Sequence, residues 1–111
     1  MKGYEITFMA PRSRRHHGEL VLDAVLRIAK TLGINRHTRR TDTESVGEND
    51  RSHSAHFFEL ADEPEELTFM LEDGKSDELM HAVEAAGLQV FCIRQPVEYF
   101  RLNPSAPANP A

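Results

Sequence analysis

With one cysteine in the whole chain, an internal disulfide and a zinc site built on cysteines are both excluded. No apolar run approaches the ~20 residues that a membrane-spanning helix needs, which excludes direct insertion by that route. Residues 1–5, Met-Lys-Gly-Tyr-Glu, hold no apolar targeting core, so a cytoplasmic location is expected. Basic side chains are scarce after position 51: residues 52–111 carry three Lys or Arg against eleven Asp or Glu, whereas residues 1–51 carry ten against seven. The net charge of −5 speaks against bulk binding to nucleic acid, which favours a concentrated basic face. Two halves of unlike charge would instead pair with copies of the chain, or offer the basic half to an anion. A Gly-x-Ser-x-Gly elbow is also missing, and Ser13, Ser45, Ser52, Ser54 and Ser76 sit in no activating context. Glu44, Glu48 and Asp50 form a carboxylate cluster, but solvent would hold their pKa values near normal, so no enzyme is expected.

What remains is an ordinary globular composition, 40% apolar and 28% charged, in 111 residues. That length supports one modest core. A single domain is expected over residues 1–102, followed by a disordered tail at 103–111 that holds three prolines. Tyr4, Ile6 and Phe8 alternate with Glu5 and Thr7, which predicts a strand with one buried face, stopped by Pro11. Val21, Val25, Ile28, Ala29 and Leu32 recur at helical spacing, with Leu22 and Ala24 widening the stripe and Gly33 as the stop. Residues 36–43 are polar and rich in Arg and Thr, predicting a strand exposed on one face or paired at an edge.

Further strands are expected at 55–60 and 67–72, separated by the turn at 62–65. A second helix follows, with Ser76 as its N-cap, Leu79, Met80, Val83 and Ala86 as its stripe and Gly87 as its stop. Residues 88–94 and 97–102 read as two strands broken by Pro96, with Cys92 buried and inert in the first. The order is β-α-β-β-α-β with an additional C-terminal strand, an α+β sandwich of ferredoxin-like type.

Between the second and third strands lies a polar loop with no large apolar residue from Gly47 to Ser54. Connections of this length inside a small domain usually bind something or are disordered, which makes this loop the first place to look for function.

Several residues follow a known series: His17-Gly18 opening the first helix, Leu32-Gly33-Ile34 at its end, the Glu44 to Gly47 turn, Arg51-Ser52-His53-Ser54, and Phe58-Glu59-Leu60 before an acidic turn. In order and spacing, over roughly residues 3–102, the chain resembles the PII-like signalling proteins, in particular their small bacterial and archaeal branch. The resemblance implies a homotrimer with an adenine-nucleotide site (AMP, ADP or ATP) in each cleft between subunits. It also implies a signalling loop, the T-loop, that reaches a protein target such as a transporter or a metabolic enzyme. No cofactor is required. Of the family's Gly-Phe-Gly turn only Gly47 carries over, since Ser45-Val46 precede it. The stretch 85–90 lacks the lysine and aspartate that cradle a triphosphate in nitrogen-sensing members, and the loop lacks their modified tyrosine.

The expected nucleotide set is Arg39, Arg40, Glu44, Gly47, Gly87 and Gln89, and the expected partner-contacting set is Glu48, Asn49, Asp50, Arg51 and His53. Adjacent strand residues face opposite sides, so at most one of Arg39 and Arg40 enters a given cleft. Arg12, Arg14 and Arg15 form a second basic cluster, beside backbone N–H groups at the expected helix start. The six histidines motivate a different reading, a metal-binding or metal-tolerance trimer of CutA type, although no metal site is assigned. His53 and His56 would face opposite sides of a strand, and His16 and His17 are adjacent. A third alternative is a small ferredoxin-like enzyme using the cleft between sheet and helices.

Overall fold

The structure, a computed structural model, describes residues 1–41 and 63–103. The strand expected at 55–60, the loop at 44–54 and the tail from 104 onward lie outside the described residues. The elements run β1 (Lys2–Pro11), β2 (Arg15–His16), β3 (Glu19–Leu20), α1 (Val21–Thr31), β4 (Thr38–Thr41), β5 (Pro64–Leu71), α2 (Asp73–Ala85) and β6 (Phe91–Glu98). Four strands form one antiparallel sheet in the order β4-β5-β1-β6, while β2 and β3 pair as a separate hairpin. A four-stranded antiparallel sheet with two helices is compatible with the ferredoxin-like arrangement.

The period-2 pattern decides which face is covered. Ile6, Phe8 and Ala10 of β1 share a face with Leu67, Phe69 and Leu71 of β5, and all six are buried. Onto them pack Val21, Leu22, Val25 and Ala29 of α1, Leu79 and Val83 of α2, and Ile34. Phe8 and Phe69 meet edge to face at 6.1 Å between ring centres, a geometry favoured by the ring quadrupoles. The opposite face is cross-linked by polar pairs: Thr7 with Thr68 at 2.9 Å, and Gln95 donating to Glu5 at 2.7 Å.

Both helices end in the same device. The Gly33 N–H donates to the Lys30 carbonyl and the Ile34 N–H to Ala29, a Schellman closure made possible by the positive φ of 82° at Gly33. Gly87, at φ 73°, closes α2 in the same way onto Glu84, with the Leu88 N–H pointing to Val83. Lys75 donates to the Leu32 carbonyl at 2.7 Å, so the start of α2 satisfies an orphan acceptor at the end of α1.

Three expectations are corrected here. Helix α2 begins at Asp73 with Glu72 as N-cap, a full turn earlier than Ser76 implies, and Gly74 lies inside it. Ser76 is fully buried and its hydroxyl accepts from Arg94, which also pairs with Asp77 and lies over the Tyr4 ring at 4.3 Å. One continuous strand, β6, runs through Pro96, so the additional C-terminal strand is absent among the described residues. Among the described residues β6 pairs with β1 alone, and an edge strand is where a sheet tolerates proline. Finally, β5 begins at Pro64, inside the expected turn. No described helix is long and apolar enough to cross a membrane.

Gly3 has a steric reason. A Cβ placed there would run into the carbonyl oxygen of Leu71, backbone that cannot move aside. Gly3→Ala is expected to lower stability by about 1–3 kcal/mol, the usual cost of overpacking. Urea unfolding checks this, and an unchanged midpoint would refute it.

Candidate functional site

At one end of the sheet, β1 leaves through Pro11, β4 ends at Thr41 and β5 begins at Pro64, in register with one another. The β1–α1 connection is tied to the start of β5: the Arg12 N–H donates to the Glu63 carbonyl at 2.8 Å, and its guanidinium meets the Glu63 carboxylate at 3.0 Å. The same end therefore holds both points where residues 42–62 join the sheet.

His17 and Gly18 do not open a helix. They are the two central residues of the β2–β3 hairpin, in which His16 pairs with Glu19 and Arg15 with Leu20. Positive φ at both, 52° and 81°, marks a type I′ turn, the form whose twist matches its strands. The Arg15 guanidinium donates to the Gly18 carbonyl at 2.8 Å and holds the turn closed. Helix α1 starts only at Val21, whose N–H is taken by the Arg14 carbonyl at 2.9 Å. The helix-start N–H groups expected beside the basic cluster at His17 and Gly18 are thereby corrected: a hairpin intervenes.

The α2–β6 connection completes this end. The Arg14 guanidinium donates to the Gln89 carbonyl at 3.2 Å, and the His16 ring lies 3.9 Å from where a Gly87 Cβ would sit. Gly87 and Gln89 are thus brought beside the basic hairpin. Gly87 also has a local role as the helix stop, and what Gln89 supplies to this link is its backbone.

Arg39 and Arg40 take opposite faces of the sheet, as adjacency on a strand requires. Arg39 reaches Asp23 on α1 at 2.8 Å and Glu65 on β5 at 3.2 Å, while Arg40 meets Glu66 at 2.9 Å. Glu66 is buried, so its charge depends on such partners. Burial pulls the Arg39 guanidinium pKa down, but its hydrogen bonds to Glu65 and Asp23 and their charges carry it above its ordinary value. Both arginines brace the strand that leads into the 42–62 segment. Sequence reasoning missed these acids, because the register that sets Arg40 opposite Glu66 and Arg39 diagonal to Glu65 is a product of strand pairing; the one signal was an Arg-Arg pair and a Glu-Glu pair on two polar strands.

Glu44, Gly47, Glu48, Asn49, Asp50, Arg51 and His53 lie outside the described residues. Among the described residues no three His, Cys, Asp or Glu side chains gather as metal ligands. His16 and His17 instead stack edge-on at 4.2 Å. Cys92 is half-buried, and desolvation pushes its thiol pKa up against a smaller lowering by Arg94, which makes it a poor nucleophile at neutral pH.

No family model matches the chain, nor does any curated protein compared with it. The role of this end rests on its residues. What the arrangement can do is hold an anion between a basic hairpin and a glycine turn, next to the roots of a long connection.

Arg39→Met would leave the Glu65 carboxylate, whose side chain is 12% exposed, without its guanidinium. The Thr41 hydroxyl still donates to that carboxylate at 3.2 Å, so a loss of about 1–3 kcal/mol is expected, the worth of a hydrogen bond to a charged group. Chemical denaturation measures it; wild-type stability in the variant would show that Arg39 does not brace β4.

Proposed function

We propose that this chain is a PII-like regulatory protein. In this reading it is a non-enzymatic homotrimer that binds an adenine nucleotide in the clefts between subunits. It signals through the loop at about residues 44–54 to a protein partner, a transporter or a metabolic enzyme. One observation carries the reading: the β1–α1 hairpin, the α2–β6 turn and both roots of the 42–62 segment meet at the same end of the sheet. A ligand held there would touch the base of the loop directly. The sheet order, compatible with a ferredoxin-like domain, and the series of residues from His17 to Leu60 support it further.

The mechanism is differential binding. A nucleotide that prefers one loop conformation raises the population of that conformation by its difference in affinity between the two, and the partner recognises the result. Gly47 supplies a point where backbone can approach phosphate closely. Because Arg39 and Arg40 are already engaged by carboxylates, Arg14 and Arg15 are the better phosphate ligands. Among the described residues each makes one carbonyl contact, and a guanidinium has further N–H groups to offer. Glu44 and the backbone around Gly87 and Gln89 complete the proposed set.

Calorimetry with AMP, ADP and ATP, alongside sedimentation equilibrium, tests both halves. A trimer that binds at least one nucleotide with Kd below about 1 mM is expected. Three flat titrations would remove the nucleotide, and a monomer would remove the inter-subunit cleft.

A further inference from the structure

The opposite end of the sheet carries a feature that the regulatory reading does not use. Where β1 begins, β5 ends and the chain leaves β6, a cleft of about 650 Å³ opens between these strands and the α1–β4 connection. Its volume falls within the range of about 300–1,000 Å³ typical of small-molecule sites. Leu71 and Ile34, both part of the buried core, contribute to its lining. The Tyr99 N–H donates to the Met1 carbonyl at 2.8 Å and fixes the wall that continues into Phe100 and Arg101.

Two properties set this cleft apart. Five large apolar side chains are exposed among the described residues, and three of them, Met1, Met70 and Phe100, line it. Such clustering, unlike scattered surface apolars, marks a binding surface. The charge is also reversed relative to the chain. The protein as a whole is at −5, yet among the described residues Arg36, Lys75 and Arg101 line the cleft against one acid, Glu72. Lys75 is already committed to the Leu32 carbonyl and to Glu78. Arg36 and Arg101 have no acidic partner among the described residues, and guanidinium groups suit the two oxygens of a carboxylate or phosphate.

We infer that this cleft binds a small organic anion with a flat apolar body, its carboxylate or phosphate held by Arg36 and Arg101 and its body laid against Tyr99, Phe100 and Met70. The site is built within one subunit and rests on nothing in the nucleotide reading. Arg36 and Arg101 fix the charged group, and the exposed Phe100 and Met70 are free to close over the rest.

Amide chemical-shift mapping on the full chain tests this, with phenyl phosphate and phenylacetate as probes and inorganic phosphate and benzyl alcohol as controls. Saturable shifts confined to residues 33–36, 70–75 and 99–101 are expected with at least one aromatic anion. Both controls should bind at least about tenfold more weakly, and Arg36→Gln or Arg101→Gln should weaken the aromatic anion by about tenfold. Both arginines are exposed, so the variants should fold, and their amide spectra report it. Phe100→Ala should weaken the aromatic anion while leaving inorganic phosphate unaffected. Absence of localised shifts up to about 10 mM probe would overturn the inference, since Kd values weaker than that carry under about 3 kcal/mol. So would equal binding of benzyl alcohol or of inorganic phosphate, or indifference to both arginine substitutions.

Discussion

Strand β1 is paired along both edges, with β5 from Tyr4 to Pro11 and with β6 from Lys2 to Met9. Nearly every backbone group of the strand is therefore satisfied inside the sheet, and the alternation of its side chains becomes binding on its neighbours. Once Ile6 and Phe8 face the helices, Phe69 and Leu67 must do so as well, because they stand opposite in register. A slip of one residue by β5 against β1 would turn Thr68 into the core and Phe69 out to water. The approach of Gly3 to the Leu71 carbonyl belongs to the same constraint, since a side chain there would push β5 away.

That central pairing also separates the molecule into two ends with different chemistry. At one end, short polar links join everything: Arg12 to Glu63, Arg14 to the Gln89 carbonyl, Arg39 to Asp23 and Glu65. Several of these links are exposed, and each such pair adds little stability by itself. Their effect is positional, because they hold the hairpin, the α2–β6 turn and the roots of a long connection in one arrangement. At the other end the strands simply stop, leaving aromatic and aliphatic side chains beside arginines.

The legible parts of the chain were those with a strong local period. The stripe Val21, Val25 and Ala29 is the buried face of α1, and Gly33 and Gly87 close their helices at the positive φ angles that only glycine adopts cheaply. Edge placement of the Arg-rich strand was also suggested by composition, and among the described residues β4 pairs with β5 alone. Where a residue has two plausible local roles, local reading failed. Ser76 has the chemistry of an N-cap but is fully buried, and Arg94 uses its hydroxyl from a distant strand. Pro96 breaks an interior strand but not an edge, and nothing in the neighbouring residues says which β6 would be. His17-Gly18 fits a helix entry and a hairpin turn equally well until Arg15 and Leu20 are seen to pair.

Taken alone, the amino-acid order determined the α+β class, the two described helices, the buried face of β1 and the exclusion of an internal disulfide, because each depends on residues close in sequence or on composition. Tertiary structure decided which charges are in use. Arg39 meets acids 16 and 26 positions away, and its availability to a ligand could not be read without knowing which strands lie side by side. The cleft of Arg36, Tyr99, Phe100 and Arg101 is likewise a product of folding. Its walls come from Met1, the turn after α1, the β5–α2 junction and residues 99–101, and only antiparallel pairing across the sheet brings them to one rim.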